Sequence, residues 1–214
     1  LFNEDNTEIR CRKVLDEISP VLKPLFERFI EKIGVSVGNE FIIKSYDSTL
    51  STTYSDARNP DYAEKKKTSD IGRKYYVGLN RKVEDKEYNL FTLEFNGIDR
   101  SILIHNELHF IPFWAWVKNE QIHPVLNSIP SNFSIYTGWK EKTVIEKNEL
   151  IKYVKGCIKP RKRPWFQIGT GLPLEGQLDE EALMNKLTEV WENLAKFRSY
   201  YNEEIDTSKR AFNA

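Results

Sequence analysis

Apolar and polar positions alternate with a period of two through the middle of the chain. In residues 89–95, every second position from Phe91 is a large apolar residue, and the positions between them include Glu94. Asn96-Gly97 follows, and both residues tolerate the positive φ angles of two-residue hairpin turns. A second apolar run, Ser101–Ile104, then returns. This alternation predicts two half-buried strands joined as a β-hairpin.

Two neighbouring stretches extend the predicted sheet. The stretch Lys74–Leu79 alternates in the same way and predicts a strand before the hairpin. The stretch Phe110–Val117 predicts a strand after it, which Pro112 would place at an edge or interrupt. A turn at Asn106-Glu107 would separate that strand from the hairpin. Together these stretches predict a central antiparallel meander at about residues 74–117.

Helical periodicity dominates both ends of the chain. Near the start, apolar residues recur at spacings of three and one from Leu22 to Ile33, and Gly34 is a natural stop. Near the end, Asp179 is a predicted N-cap, and an apolar stripe from Leu183 runs to about residue 202. We expect the tail after residue 205 to fray, because it has little to bury.

Shorter elements fill the interval between the meander and the last helix. A hairpin is predicted at Phe133–Thr137 and Thr143–Ile145, and a helix from Asn148. A strand at Phe166–Ile168 would end in a turn, GTGLP. The chain shows no internal repeat and no linker. We therefore predict one α+β domain over 1–214, a mostly antiparallel sheet flanked by N-terminal helices and a long C-terminal amphipathic helix.

Composition narrows the class of protein. The 214 residues are 40% hydrophobic and 30% charged, with 32 basic and 32 acidic side chains, so any polyanion binding must be local. No apolar run approaches the ~20 residues of a membrane span, and no signal peptide is visible. These features predict a cytoplasmic protein without membrane contact. Frequent Lys, Asn, Tyr and Phe are typical of an AT-rich microbial or viral source. The chain starts at Leu1, and we expect it to be a fragment whose partners include other domains.

One basic segment breaks the overall charge balance. No acidic residue occurs between Leu150 and Leu174, whereas six basic residues do. Lysine and arginine neutralise phosphates, and a neighbouring aromatic ring can stack on a base. The candidate nucleic-acid-binding residues are Lys155, Lys159, Arg161, Lys162, Arg163 and Trp165. The alternatives are a solubilising loop with Trp165 in the core, or a surface for an acidic protein.

The three histidines are the second candidate site. His105, His109 and His123 fall in one short window, with Glu107 between the first two. On a continuous strand His105, Glu107 and His109 would share one face, which suits a divalent metal. A turn at Asn106-Glu107 would break that alignment. No cofactor is predicted otherwise, and the alternative is ordinary buried or surface histidines.

The third candidate site is a pattern of acidic residues and a lysine that resembles one found in nucleases. Pro60-Asp61 followed by Glu84-Asp85-Lys86 resembles the PD-(D/E)xK pattern of restriction-type nucleases. The resemblance implies that the acids would hold Mg²⁺ and the lysine would orient water. The second half of that pattern belongs on an apolar strand, whereas here it falls in a polar turn. The chain contains no P-loop, GxGxxG or GxSxG motif.

Three functions follow in order of preference. The first is a nucleic-acid-binding recognition module of a larger microbial protein, such as one of defence or DNA processing. It would bind DNA or RNA through the basic segment, with help from Lys65–Lys67. The second is a metal-dependent hydrolase or nuclease domain. The third is a protein-interaction module that uses the terminal helix or the surface of Trp114 and Trp116.

Overall fold

An antiparallel sheet runs through the part of the chain that the structure describes. The computed structural model describes residues 9, 13–47, 74–97, 100–109, 122–137, 143–156, 165–174 and 178–212. The strands within these ranges are β1 (Phe41–Asp47), β2 (Lys74–Val83), β3 (Lys86–Asn96), β4 (Ser101–His109), β5 (Ser134–Thr137), β6 (Thr143–Ile145) and β7 (Trp165–Pro173). Their order across the sheet is β1-β2-β3-β4-β7-β5-β6.

Helices precede, interrupt and follow the strands. A π-helical turn, Val14–Ile18, leads into the first of the helices α1 (Ser19–Lys32), α2 (Ile122–Asn127), α3 (Lys147–Gly156), α4 (Glu180–Asn193) and α5 (Ala195–Phe212). The predicted α+β class, with helices flanking a mostly antiparallel sheet, is confirmed. Within the described ranges no helix has the length and apolar character that crossing a bilayer requires.

The predicted central hairpin is present and longer than expected. The predicted two-residue turn at Asn96-Gly97 is wrong, because Asn96 ends β3 opposite Ser101 and residues 97–100 connect the two strands. β3 and β4 pair from Asn96 opposite Ser101 to Thr92 opposite His105, and Arg100 has a φ of 49° just before β4 begins. The predicted turn at Asn106-Glu107 is wrong, because β4 continues to His109. β7 pairs with β4 along its whole length and holds it extended. The stretch Phe110–Val117 lies outside the described residues.

The predicted turn GTGLP is also wrong. Gly169, Thr170 and Gly171 are extended within β7, where they pair with His105, Ile104 and Leu103. Glycine and proline favour turns locally, but nine successive pairings with β4 override that preference.

One face of the sheet packs against the helices and forms the core. Phe91 of β3 lies 5.4 Å from the ring of Phe29 in α1 and 5.3 Å from that of Trp191 in α4. Such edge-to-face and tilted ring pairs add to the apolar area that the contact buries. The buried face of α1 is therefore the one that the apolar spacing near the start of the chain predicts. Gly34, with a φ of 72°, follows the end of that helix as predicted.

The C-terminal stripe is buried along two helices rather than one. Asp179 caps α4 by accepting a hydrogen bond of 3.0 Å from the Ala182 amide, as predicted. The helical path is interrupted at Leu194, and α5 continues to Phe212, so the expected fraying after residue 205 is not observed. The stripe residues all lie in the core: Leu183, Leu187, Val190, Leu194, Phe197 and Tyr201. The terminal helices therefore do not offer this stripe to a protein partner.

A buried arginine lies between the helices and the sheet. The Arg198 side chain, in a residue only 5% exposed, stacks 3.5 Å from the ring centroid of Trp191 and donates to the Trp191 carbonyl oxygen through Nη2. Its Nη1 has no hydrogen-bond partner, and no carboxylate among the described residues pairs with it. Burial lowers the pKa of Arg198 to about 9, so the guanidinium is still charged at neutral pH.

We expect Arg198→Met to stabilise the protein at pH 7 by about 1–2 kcal/mol, because the lost desolvation cost exceeds the lost cation–π attraction. The cost is complete below the folded pKa of about 9 and disappears as the pH rises towards the ordinary value of 12.5. Urea unfolding at pH 7 and pH 10 should therefore show the variant's advantage shrinking. Arg198→Lys, which keeps a charge and loses the planar stack, is the control. A methionine variant less stable than the parent at pH 7 would contradict the argument.

Candidate functional site

The face of the sheet opposite the helices is polar and yet buried. Residues opposite one another across antiparallel strands lie on the same face, so the pairing register assigns each side chain. This polar face carries residues that are at most 5% exposed: Asn80, Thr92, Glu94, His105 and Gln167. Buried polar groups are costly unless they are paired, and their concentration on one face marks a candidate site.

A register shift widens this polar face. Pairing between β2 and β3 shifts between Leu79 and Asn80, so that Asn80 faces Asn89. Thr92 Oγ1 donates to Asn89 Oδ1 over 3.0 Å, and Asn89 Nδ2 donates to Asn80 Oδ1 over 3.1 Å. The bulge therefore brings three polar side chains into one hydrogen-bonded chain.

The hydrogen-bonded chain continues towards the sheet edge. Asn80 Nδ2 lies 3.5 Å from Glu87 Oε2, and Glu87 forms an ion pair with Lys44 of the edge strand β1. The hydrogen bond from Lys44 is the main cause that lowers the pKa of the Glu87 carboxyl, and burial opposes it. This exposed end of the network is worth less than about 1 kcal/mol, because water screens the pair.

At the centre of the polar face lies a carboxylate–imidazole pair. Glu94 Oε2 is 3.2 Å from His105 Nε2, and the two residues are 0% and 1% exposed. The second ring nitrogen of the histidine, Nδ1, has no hydrogen-bond partner within the described ranges. The imidazole therefore has one nitrogen held by the carboxylate and the other available to a ligand.

Two glycines flank the row that contains His105. The row runs from Gly78 through Thr92 and His105 to Gly169. A Cβ atom at Gly169 would stand 2.7 Å from both Cα and Cβ of His105, and closer still to the carbonyl oxygen of Ile104. Only glycine allows β7 to approach the backbone of β4 this closely.

Because β4 is continuous, its geometry sets the spacing between the three proposed metal ligands. His105, Glu107 and His109 occupy alternate positions and pair with Gly169, Gln167 and Trp165, so they belong to one face. Four strand residues span about 13 Å, too far for His105 and His109 to share one ion, whereas positions two apart are ~7 Å apart. The side chains of Glu107 and His109 lie outside the described residues. Among those described, no group of three His, Cys, Asp or Glu side chains could hold a metal.

Most of the predicted basic site lies outside the described residues. This applies to Lys159, Arg161, Lys162 and Arg163, and to the side chains of Lys155 in α3 and Trp165 in β7. Lys152, one turn before Lys155, is exposed. The described residues fix where the segment 157–164 is attached: it joins the end of α3 to Trp165, which pairs with His109.

That pairing defines the two ends of the sheet. We call the end where His109 faces Trp165 the Trp165 end, and the opposite one, where Ser101 faces Pro173, the Pro173 end. The segment 110–121, which contains FIPFWAWV, leaves the sheet at the Trp165 end, where segment 157–164 joins it. The segment 48–73, which contains Lys65–Lys67, is attached at the Pro173 end through Asp47 and Lys74.

The nuclease-like pattern is split between a strand connection and a turn. Glu84 and Asp85 are exposed and form the tight turn between β2 and β3, with a φ of 56° at Glu84. Asp61 lies outside the described residues. The turn is polar, as the sequence predicts, and not the apolar strand that the resemblance to PD-(D/E)xK nucleases requires.

A cleft that no sequence motif indicates lies at the β5–β6 edge of the sheet. A cavity of about 550 Å³ lies between α2, this edge and the start of α3. Its lining includes buried Phe133 and Ile135, with exposed His123, Asn127 and Asn148 around them. Only the packing of three separate elements creates it, so no local motif could have indicated it.

The chain matches no protein-family model, and no curated protein is similar to it in sequence.

Proposed function

We propose that the protein is a nucleic-acid-binding module that contacts the phosphate backbone through Lys155, Lys159, Arg161, Lys162 and Arg163 at the Trp165 end of the sheet. The single observation that carries the proposal is the pairing of Trp165 with His109. It attaches the basic segment beside the segment that carries Phe113, Trp114 and Trp116.

Charge supports this placement. The stretch from Leu150 to Leu174 includes the second half of α3 and all of β7 and contains no acidic residue. A polyanion bound to the segment 157–164 would therefore meet its cations, and Lys152 of the preceding helix α3 is exposed. Phosphate contacts supply most of non-specific nucleic-acid affinity, and each releases counterions.

The aromatic residues nearby indicate which nucleic acid fits best. Indole and phenyl rings stack on unpaired bases, whereas the bases of a duplex are already stacked on one another. Cations next to aromatic side chains favour a single strand over a duplex. We therefore propose single-stranded DNA or RNA as the ligand of this end.

The charge-reversal variant Arg161→Glu/Lys162→Glu/Arg163→Glu is expected to bind a fluorescent single strand about 100-fold more weakly, because about three phosphate contacts of ~1 kcal/mol each are lost. The slope of log affinity against log salt concentration should fall in magnitude by about 2 for the single-stranded probe. Fluorescence anisotropy between 50 and 200 mM salt, with matched single-stranded and duplex probes, measures both quantities.

The matched control is Lys65→Glu/Lys66→Glu/Lys67→Glu, which changes the net charge equally in a segment attached at the Pro173 end. We expect it to keep most of the affinity, because the proposed phosphate contacts lie at the Trp165 end of the sheet. If both triple variants bind the single strand equally weakly, the loss of affinity comes from the change in net charge and not from contacts at the Trp165 end. Unchanged affinity in the first variant would remove the proposal.

A further inference from the structure

The cleft at the β5–β6 edge has the size and the lining of a small-molecule site. Its volume of about 550 Å³ falls within the ~300–1,000 Å³ that is typical of ligand pockets. Leu126, Phe133 and Ile135 form an apolar floor, and each is at most 6% exposed. The ammonium group of Lys147 donates to the Ile129 carbonyl oxygen, which ties the start of α3 to the chain that follows α2. Packed and bonded elements therefore define the cleft before any ligand binds.

Amide and hydroxyl groups complete the lining. Asn127 at the end of α2, Ser131, and Asn148 in the first turn of α3 are exposed, and Ser134 is half-buried. An entirely apolar ligand would remove these groups from water and leave them unpaired. An asparagine amide places a donor beside an acceptor, and the edge of a nucleobase does the same, so the two can form paired hydrogen bonds. A flat heterocycle with apolar faces and a hydrogen-bonding edge therefore fits both parts of the cleft.

A cation lies one helical turn from this lining. Lys152 follows Asn148 by four residues in α3, so the two lie on one side of the helix, about 6 Å apart along its axis. Lys152 is exposed and forms no ion pair with a carboxylate among the described residues. The exposed carboxylate of Glu146 also lines the cleft, and it repels anions from the start of the helix. An anionic group attached to the heterocycle is therefore best placed at Lys152.

We propose that the cleft binds one nucleotide, with its base against Asn127 and Asn148 and its phosphate at Lys152. The inference rests on the proposed function, because the basic segment 157–164 follows the other end of α3, about 15 Å away. A single strand held by that segment reaches the cleft along α3 within a few nucleotides. A free mononucleotide has the same chemistry and is the other source of such a ligand.

Titration calorimetry of the whole chain with the four nucleoside monophosphates tests the cleft without the rest of a strand. We expect a Kd of about 1 mM or lower for the preferred nucleotide. Val144 is exposed and lines the cleft, so Val144→Trp should fill the cleft and weaken binding about tenfold or more. The matched control is Thr143→Trp, at the neighbouring exposed position of β6 outside the lining, which should bind as the parent does.

The matching nucleosides test the place of the phosphate. Lys152→Gln should weaken nucleotide binding about fivefold, because one phosphate contact is lost, and should leave nucleoside binding unchanged. Equal weakening of nucleotide and nucleoside would overturn the assignment of the phosphate to Lys152.

A single strand of about ten nucleotides distinguishes the two sources of the ligand. If the cleft takes a nucleotide of a bound strand, Val144→Trp should weaken the strand as well and reduce its base preference. If the cleft takes a free nucleotide, the same variant should weaken the mononucleotide alone. The inference is overturned if the parent binds no nucleotide at about 5 mM, or if the two tryptophan variants bind equally well. Neither result touches the proposed function, which is decided by the charge reversal at Arg161, Lys162 and Arg163.

Discussion

Gly169→Ala is expected to destabilise the protein by about 3 kcal/mol or more, at or above the upper end of the usual range for overpacking. The added methyl group would meet Cα and Cβ of His105 at 2.7 Å and the carbonyl oxygen of Ile104 closer still. Backbone atoms cannot rotate away as a side chain can, so β7 would have to separate from β4. Urea unfolding monitored by circular dichroism measures the loss.

Gly171→Ala is the matched control for this substitution. Gly171 lies two residues further along the same strand and is exposed. Its added Cβ would meet the flexible end of Leu103 at 3.0 Å and the Ile102 carbonyl oxygen at an ordinary contact distance of 3.9 Å. We expect a change within about 1 kcal/mol there, since a side chain can yield. If the two alanine variants are equally stable, β7 does not approach β4 as closely at Gly169 as the structure has it.

His105→Leu is expected to cost about 3 kcal/mol, because it removes the imidazole that lies 3.2 Å from the fully buried carboxyl group of Glu94. Glu94→Leu should cost less, about 1–2 kcal/mol, since an imidazole is cheaper to bury without its partner than a carboxylate. Denaturant unfolding of each single variant gives the two values.

The double variant Glu94→Leu/His105→Leu closes the cycle. Replacing both partners by apolar side chains removes the buried polar pair altogether, and such replacements are often neutral. We expect the double variant to be more stable than His105→Leu alone, with a coupling of ~2 kcal/mol or more. Strictly additive losses would mean that Glu94 and His105 do not act as a pair.

Local patterns in the sequence predict this fold well wherever the structure follows local preferences. The alternation around Phe91 predicts the β3–β4 hairpin, and the spacing of apolar residues after Leu22 predicts the buried side of α1. The cap at Asp179 is equally local. In each case the residues that determine the element lie close together in the sequence.

Two of the wrong turn predictions have one physical cause, which is strand pairing between segments far apart in the chain. Asn106-Glu107 and GTGLP both have the composition of turns, yet each is extended because β4 and β7 pair across about 60 residues of sequence. The partnership of Glu94 with His105 depends on the same kind of information. Glu94 is visible in the sequence as a carboxylate in an apolar strand, but only the register identifies its partner.

The order of the strands has a consequence for how the chain is assembled during synthesis. β5 and β6 connect to β1–β4 through β7, which is the last strand to leave the ribosome. Until residue 173 has emerged, the nascent chain holds two separate β-structures, and β4 presents an open edge of unpaired amide and carbonyl groups. Such an edge recruits other extended chains, so a ribosome that pauses before β7 would expose the protein to aggregation at this strand.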